Sequence, residues 1–153
     1  MDKIILIAGP TGVGKTAASV SVAKKVGGEI ISADSMQIYR KMDIGTAKIM
    51  PDEMKGIPHH LIDIVEPDED FSVKDFDDLS KAAIKEISGR SKTPVVAGGT
   101  GLYINSIVYD MDYNKVTTDS EFRNELWKYY EEKGTDELYN ILLKHDPETK
   151  IEK

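Results

Sequence analysis

Ile4-Ile5-Leu6-Ile7-Ala8-Gly9-Pro10-Thr11-Gly12-Val13-Gly14-Lys15-Thr16 is the stretch that decides the fold. The apolar run reads as a buried parallel strand, and the G-x-x-x-x-G-K-T spacing that follows reads as a loop built to grip phosphates. Gly9, Gly12 and Gly14 lack a Cβ, so the backbone is expected to turn with positive φ and press its N–H groups onto phosphate oxygens. Pro10, Thr11 and Val13 fill the remaining positions of this cradle. Lys15 adds a mobile charge for the terminal phosphates, and the Thr16 hydroxyl is suited to ligating a bridging Mg²⁺. A helix from about Lys15 to Val26, stopped by Gly27-Gly28, would aim its N-terminus at the same anion.

Around this loop the chain alternates. Strands are expected at Glu29 to Ala33 and Pro94 to Ala97, with a helix from Ser72 to Arg90 between them. Ser72 and Asp75 mark that helix's start, and Phe76, Leu79, Ala83, Ile84 and Ile87 form its expected core face. Such alternation predicts an α/β fold, a P-loop NTPase-like, doubly wound parallel sheet. Gly45 to Phe71 is turn-rich, with Pro51, Gly56, Pro58 and Pro67, an acidic solvated cluster at Glu66 to Asp70, and a short strand expected at His60 to Val65.

A second region begins after residue 112. Asp119 is expected to open a helix to Lys133, and Thr135 to cap another to about His145. Their apolar faces carry Phe122, Leu126, Trp127 and Tyr130, then Leu138, Ile141 and Leu142. Residues 1–112 therefore read as the α/β core and 113–153 as the start of a helical subdomain. The cluster Trp127, Tyr129, Tyr130 is read as helix packing rather than a base-stacking platform.

The 153 residues are 40% hydrophobic and 31% charged, which suits one globular domain, and no apolar run approaches the length of a membrane span. A cytoplasmic protein without membrane contact is expected. There is no cysteine, which excludes disulfides, zinc–thiolate sites and thiol catalysis. The net charge of −7 argues against a generic nucleic-acid binder but leaves room for a local basic patch.

Two further constellations belong to the sheet's carboxyl edge, where open α/β folds bind ligands. Asp34-Ser35-Met36-Gln37 follows the second strand, and Asp34 should face the phosphate loop as a Mg²⁺ ligand, a general base or a cap for the next turn. Gly98-Gly99-Thr100-Gly101-Leu102-Tyr103 follows Val95-Val96-Ala97, where a triphosphate hydrolase would often place an acid. The acid is missing. Asp63, within Leu61-Ile62-Asp63-Ile64, is either that acid or a structural acceptor. His59 and His60 would point to opposite sides of a strand and are read as hydrogen-bonded residues rather than metal ligands.

These motifs, with Ile38-Tyr39 and Asp43-Ile44-Gly45-Thr46-Ala47-Lys48, make the whole chain resemble the tRNA dimethylallyltransferases, or tRNA isopentenyltransferase family. The resemblance implies transfer of a dimethylallyl group from dimethylallyl diphosphate to N6 of the adenosine 3′ to the anticodon. Diphosphate would leave into the loop, steadied by Lys15 and a Thr16-bound Mg²⁺, while Asp34 takes the N6 proton. The adenosine would be flipped into a channel lined by Ser35, Met36 and Gln37, with Thr100 and Arg123 also contacting tRNA. The helices after Asp119 match the beginning of an insertion that grips the anticodon stem-loop. Family members continue well past this point, with an arginine for diphosphate and further basic RNA contacts. A monomer is expected. Two other readings stand beside this one, an ATP-dependent small-molecule kinase and a nucleotide- or diphosphate-binding module without turnover.

Overall fold

A computed structural model describes residues 3–109, 111 and 119–149, and the chain separates into two compact units, Met1–Asp112 and Tyr113–Lys153. In the first unit, β1 (Ile5–Ala8), α1 (Lys15–Val26), β2 (Glu29–Ala33), β3 (His59–His60), α2 (Val73–Gly89), β4 (Pro94–Gly98) and α3 (Gly101–Tyr109) follow in order. The four strands form one parallel sheet in the order β1-β4-β2-β3. Every residue of β2 is buried, as expected for a strand with neighbours on both edges and helices on both faces.

Adjacent residues of the inner strands face opposite layers. Ile30 and Val95 pack with Val20 and Ala23 of α1, whereas Ile31 and Val96 pack with Phe76, Ala83 and Ile87 of α2 and with Tyr103 of α3. The rings of Phe76 and Tyr103 stack 4.0 Å apart, fixing α2 against α3. Ser72 caps α2 through a reciprocal pair with Asp75, an arrangement that contributes about 1 kcal/mol.

In the first unit the expected elements and the observed ones differ at four places. Leu79, expected in the core face of α2, is 42% exposed, and the buried positions there include Asp77 and Ser80. The strand expected at His60 to Val65 is only His59–His60, because Leu61 (φ 60°) and Asp63 (φ 54°) turn left-handed and break the extended run; a single bridge, Tyr39 to Val65, follows. Gly9 does not have a positive φ, unlike Gly12 (84°) and Gly14 (86°). The glycine turn after β4 runs into α3, a helix that its two opening glycines concealed.

The second unit comprises α4 (Ser120–Lys133) and α5 (Thr135–His145). The Asp119 carboxylate accepts the Phe122 N–H at 3.0 Å and caps α4. Thr135 does not cap α5 as expected; it is the first residue of α5, and Gly134 holds the cap position. Trp127 and Tyr130 meet edge to face at 5.7 Å, yet both remain substantially exposed.

Candidate functional site at the sheet's carboxyl edge

The strand order places the loop after β1 and the turn after β2 on either side of β4, which ends in glycine. Gly98 is required there. A Cβ at that position would lie 2.1 Å from the Ala33 carbonyl oxygen, so the two backbones approach as only glycine permits. The result is a cavity of about 300 Å³ lined on one side by Thr11, Gly12, Gly14, Lys15 and Thr16, and elsewhere by Asp34, Gln37, Thr46, Ala47 and His59. Ile30, Ile49, Ile62 and Ala97 give it an apolar portion.

The loop's geometry follows from its sequence. Gly12 and Gly14 hold left-handed backbone, and Gly14 stands directly before α1 with no side-chain cap competing for the helix's first N–H groups. The Lys15 ammonium donates to the Pro10 carbonyl at 2.6 Å, folding across the loop it serves. Val13 points outward and is 61% exposed.

Asp34 divides its carboxylate between two tasks. Oδ1 accepts the N–H of Met36 at 2.9 Å and that of Gln37 at 3.3 Å, closing the turn after β2. Oδ2 has no hydrogen-bond partner among the described residues and belongs to a side chain lining the cavity. Cap and chemistry are therefore compatible in one residue. Gln37 donates its amide to the Ala47 carbonyl at 3.0 Å, which orients its side chain along the cavity wall. Met36 is partly exposed, and Ser35 is bonded to Thr100: its N–H reaches the Thr100 hydroxyl oxygen at 2.9 Å, and that hydroxyl donates to Ser35 Oγ at 3.2 Å. Arg123 lies on α4 in the second unit, beside a shallow groove with Trp127 and Tyr130.

The histidines have separate fates. His60 Nε2 lies 2.7 Å from Glu29, away from the cavity, whereas His59 lines it. His59 Nδ1 lies 2.8 Å from the Ile57 carbonyl and must donate there, so Nε2 presents a lone pair, which is buried without a hydrogen-bond partner among the described residues. Burial, outweighing the bond to Ile57, pushes its pKa down and keeps it neutral. The sequence offered no means of telling His59 from His60 as the cavity residue, since only the register of β3 against β2 distinguishes them. Asp63 proves to be a structural acceptor, bonded to the Lys48 ammonium at 2.5 Å. Among the described residues no cluster of three or more His, Cys, Asp or Glu side chains is arranged to hold a metal ion.

A glycine-rich loop of G-x-x-x-x-G-K-T sequence, facing a carboxylate across a glycine-ended strand, defines a phosphate-loop α/β protein of P-loop NTPase-like fold. Residues 37–152 match the model of the IPP transferase family, and the chain belongs to that family. It is 56% identical over 146 residues to a tRNA dimethylallyltransferase of Caldanaerobacter subterraneus, covering 95% of this chain and 46% of the relative. A solved tRNA isopentenylpyrophosphate transferase from Bacillus halodurans is 49% identical, superposes with a TM-score of 0.74, and is matched over 97% of this chain and 49% of its own. A eukaryotic dimethylallyltransferase acting on tRNA is 36% identical, with a TM-score of 0.79 over 96% of this chain and 36% of that one. The chain thus spans about half the length of the curated relatives it matches. No described helix is long and apolar enough to cross a membrane.

Proposed function

We propose that this chain carries the diphosphate-gripping and proton-accepting part of a tRNA dimethylallyltransferase. The observation that carries the reading is Asp34, with one oxygen bound to its own turn and the other without a hydrogen-bond partner among the described residues, in the same cavity as Lys15 and Thr16. In this reading the C1–oxygen bond of dimethylallyl diphosphate breaks as a C1–N6 bond forms to adenine. The displaced N6 proton passes to Asp34 Oδ2, and diphosphate leaves into the loop. A carboxylate is far too weak to deprotonate a neutral exocyclic amine in advance, so proton transfer accompanies bond formation, and the two N–H groups on Oδ1 supply the fixed position this demands. The loop amides and the Lys15 ammonium meet the charge that develops on the leaving diphosphate.

The donor set near the loop fits Mg²⁺. The Thr16 hydroxyl is a hard oxygen lining the cavity, a single protein donor, so most of the ion's coordination would come from substrate phosphates and water. When bound, the ion would neutralise charge on the diphosphate. Gln37, with donor and acceptor on one planar group, suits reading an adenine edge, and Thr100 and Arg123 are carried over as tRNA contacts from the family resemblance. The helices of the second unit would begin the tRNA-gripping portion, with residues 1–112 forming the catalytic core and the protein working as a cytoplasmic monomer.

The test uses the complete gene product with Mg²⁺, labelled dimethylallyl diphosphate and unmodified tRNA. Label is expected on N6 of the adenosine beside the anticodon, and inorganic diphosphate should compete. Phosphorylation of a small molecule from ATP without prenyl transfer would establish the kinase reading instead. Diphosphate binding without any turnover would leave only a binding module.

A further inference from the structure

We infer that Lys48, outside the phosphate loop and touching no part of the cavity itself, is a positioning residue that fixes the adenine-facing wall of the site; the inference rests on the function proposed above. The segment from Gln37 to Asp63 is almost entirely irregular, and five of its non-glycine residues hold left-handed backbone: Lys41, Ala47, Lys55, Leu61 and Asp63, with φ between 49° and 63°. Such backbone is unfavourable for a residue that carries a Cβ and persists only where its surroundings over-determine it.

The Lys48 ammonium is at the centre of that constraint. Its side chain is 3% exposed, and it donates to the Tyr39 carbonyl at 2.7 Å, to Asp43 Oδ1 at 2.8 Å and to Asp63 Oδ1 at 2.5 Å. All three protons are used, two on the Tyr39 to Asp43 segment and one on Asp63. Burial alone would push the ammonium toward neutrality, but the two carboxylates outweigh it and hold it charged. Two of the five left-handed residues, Ala47 and Asp63, are joined to it, one as its neighbour in the chain and the other as its ion-pair partner.

What the clasp holds is the wall. Thr46, Ala47 and Ile49, the residues flanking Lys48, line the cavity, and the Ala47 carbonyl receives the Gln37 amide. From the other side the Asp63 N–H donates to the Gln37 carbonyl at 3.1 Å. Gln37 is therefore gripped at backbone and side chain by the two stretches that Lys48 ties together, whereas the Lys48 ammonium's hydrogen bonds among the described residues go to Tyr39, Asp43 and Asp63 and none to Gly9 to Thr16. Release of Lys48 should loosen the placement of the nucleophile while sparing the grip on diphosphate.

The experiment compares Lys48→Met, Lys48→Arg and Asp63→Asn with the unaltered full gene product, in dimethylallyl transfer to tRNA and in calorimetric binding of inorganic diphosphate. For Lys48→Met, kcat/KM toward tRNA should fall about tenfold or more, while the diphosphate Kd changes by less than about threefold. Lys48→Arg should recover part of the loss, and Asp63→Asn, which keeps the shape but removes one countercharge, should fall between. Transfer unchanged per folded molecule, or diphosphate binding and transfer lost in parallel, overturns the inference; if Lys48→Met does not fold, Asp63→Asn decides by the same criteria. No transfer by the unaltered protein overturns the functional reading itself, a different outcome from active protein with an indifferent Lys48.

Discussion

The Thr100 hydroxyl oxygen accepts the Ser35 N–H at 2.9 Å, joining the end of β4 to the turn after β2 across 65 positions of sequence. This bond, with the Thr100 N–H to the Ala33 carbonyl at 3.2 Å, sets where Asp34 stands relative to the sheet. Thr100→Val keeps the shape but leaves the Ser35 N–H without its acceptor, so a loss of about 1–2 kcal/mol is expected in urea unfolding. Thr100→Ser should retain most of the stability. A valine variant as stable as the unaltered protein would show that water replaces the hydroxyl there.

The two-sided use of Asp34 separates scaffold from chemistry. Asp34→Asn can still offer its amide oxygen to the N–H groups of Met36 and Gln37, whereas Asp34→Ala removes both the cap and the free oxygen. Both substitutions should reduce transfer by about a hundredfold or more, as expected for loss of a general base, while only the alanine variant loses stability, by about 1 kcal/mol. Thermal unfolding together with initial rates checks the pair; an asparagine variant that retains full activity would remove Asp34 from proton transfer.

Glycines that look alike in the sequence should differ sharply. A Cβ on Gly98 meets the Ala33 carbonyl oxygen at 2.1 Å, but one on Gly101 meets nothing within 4 Å. Gly98→Ala is expected to cost about 3 kcal/mol or more, or to prevent folding, because backbone rather than a flexible side chain must give way. Gly101→Ala should be neutral or slightly stabilising, since it opens α3 with a better helix former. Expression and denaturant midpoints of the two variants settle the comparison.

Glu29 anchors the opposite end of the sheet. Burial pushes its carboxyl up, but His60, Lys92 and Arg90 bond to it and together bring its pKa down from 4.5 to about 2. A carboxyl more acidic in the folded state stabilises the fold fully above its unfolded value and loses that contribution as pH falls through the folded one. The loss should therefore run from just above pH 4.5 to about pH 2, amounting to about 3 kcal/mol. In Glu29→Gln that part of the acid dependence should vanish, as followed by circular dichroism from pH 6 to pH 2. An unchanged profile would mean that its three partners contribute little net stability.

The sequence made the loop, β2, α2 and β4 legible because each rests on a local rule: glycine spacing, an apolar run, or a capping pair such as Ser72 and Asp75. Residues whose placement depends on distant partners were not readable in this way. Leu61, Ile62, Ile64 and Val65 make an apolar run that reads as a strand, yet the backbone turns left-handed at Leu61 and Asp63 in a segment tied to Gln37, Ile38 and Lys48. The glycines at Gly98, Gly99 and Gly101 announced a turn and hid α3, since propensity cannot reveal that one serves strand approach and another begins a helix. Asp34 was legible as a candidate but not its division of labour, which exists only once the turn to Gln37 has closed.

The position of β4 between β1 and β2 turns the sheet into a ruler. Adjacent strands lie about 4.8 Å apart, so two spacings, roughly 10 Å, separate the strand that delivers the phosphate loop from the strand that delivers Asp34. Gly98 and Gly99 put no side chain into that interval. The reach demanded of a ligand is thus written into backbone hydrogen bonding and comes in whole strands. Side-chain substitutions can alter what is held at either end, but the interval itself changes only if the sheet is rewired.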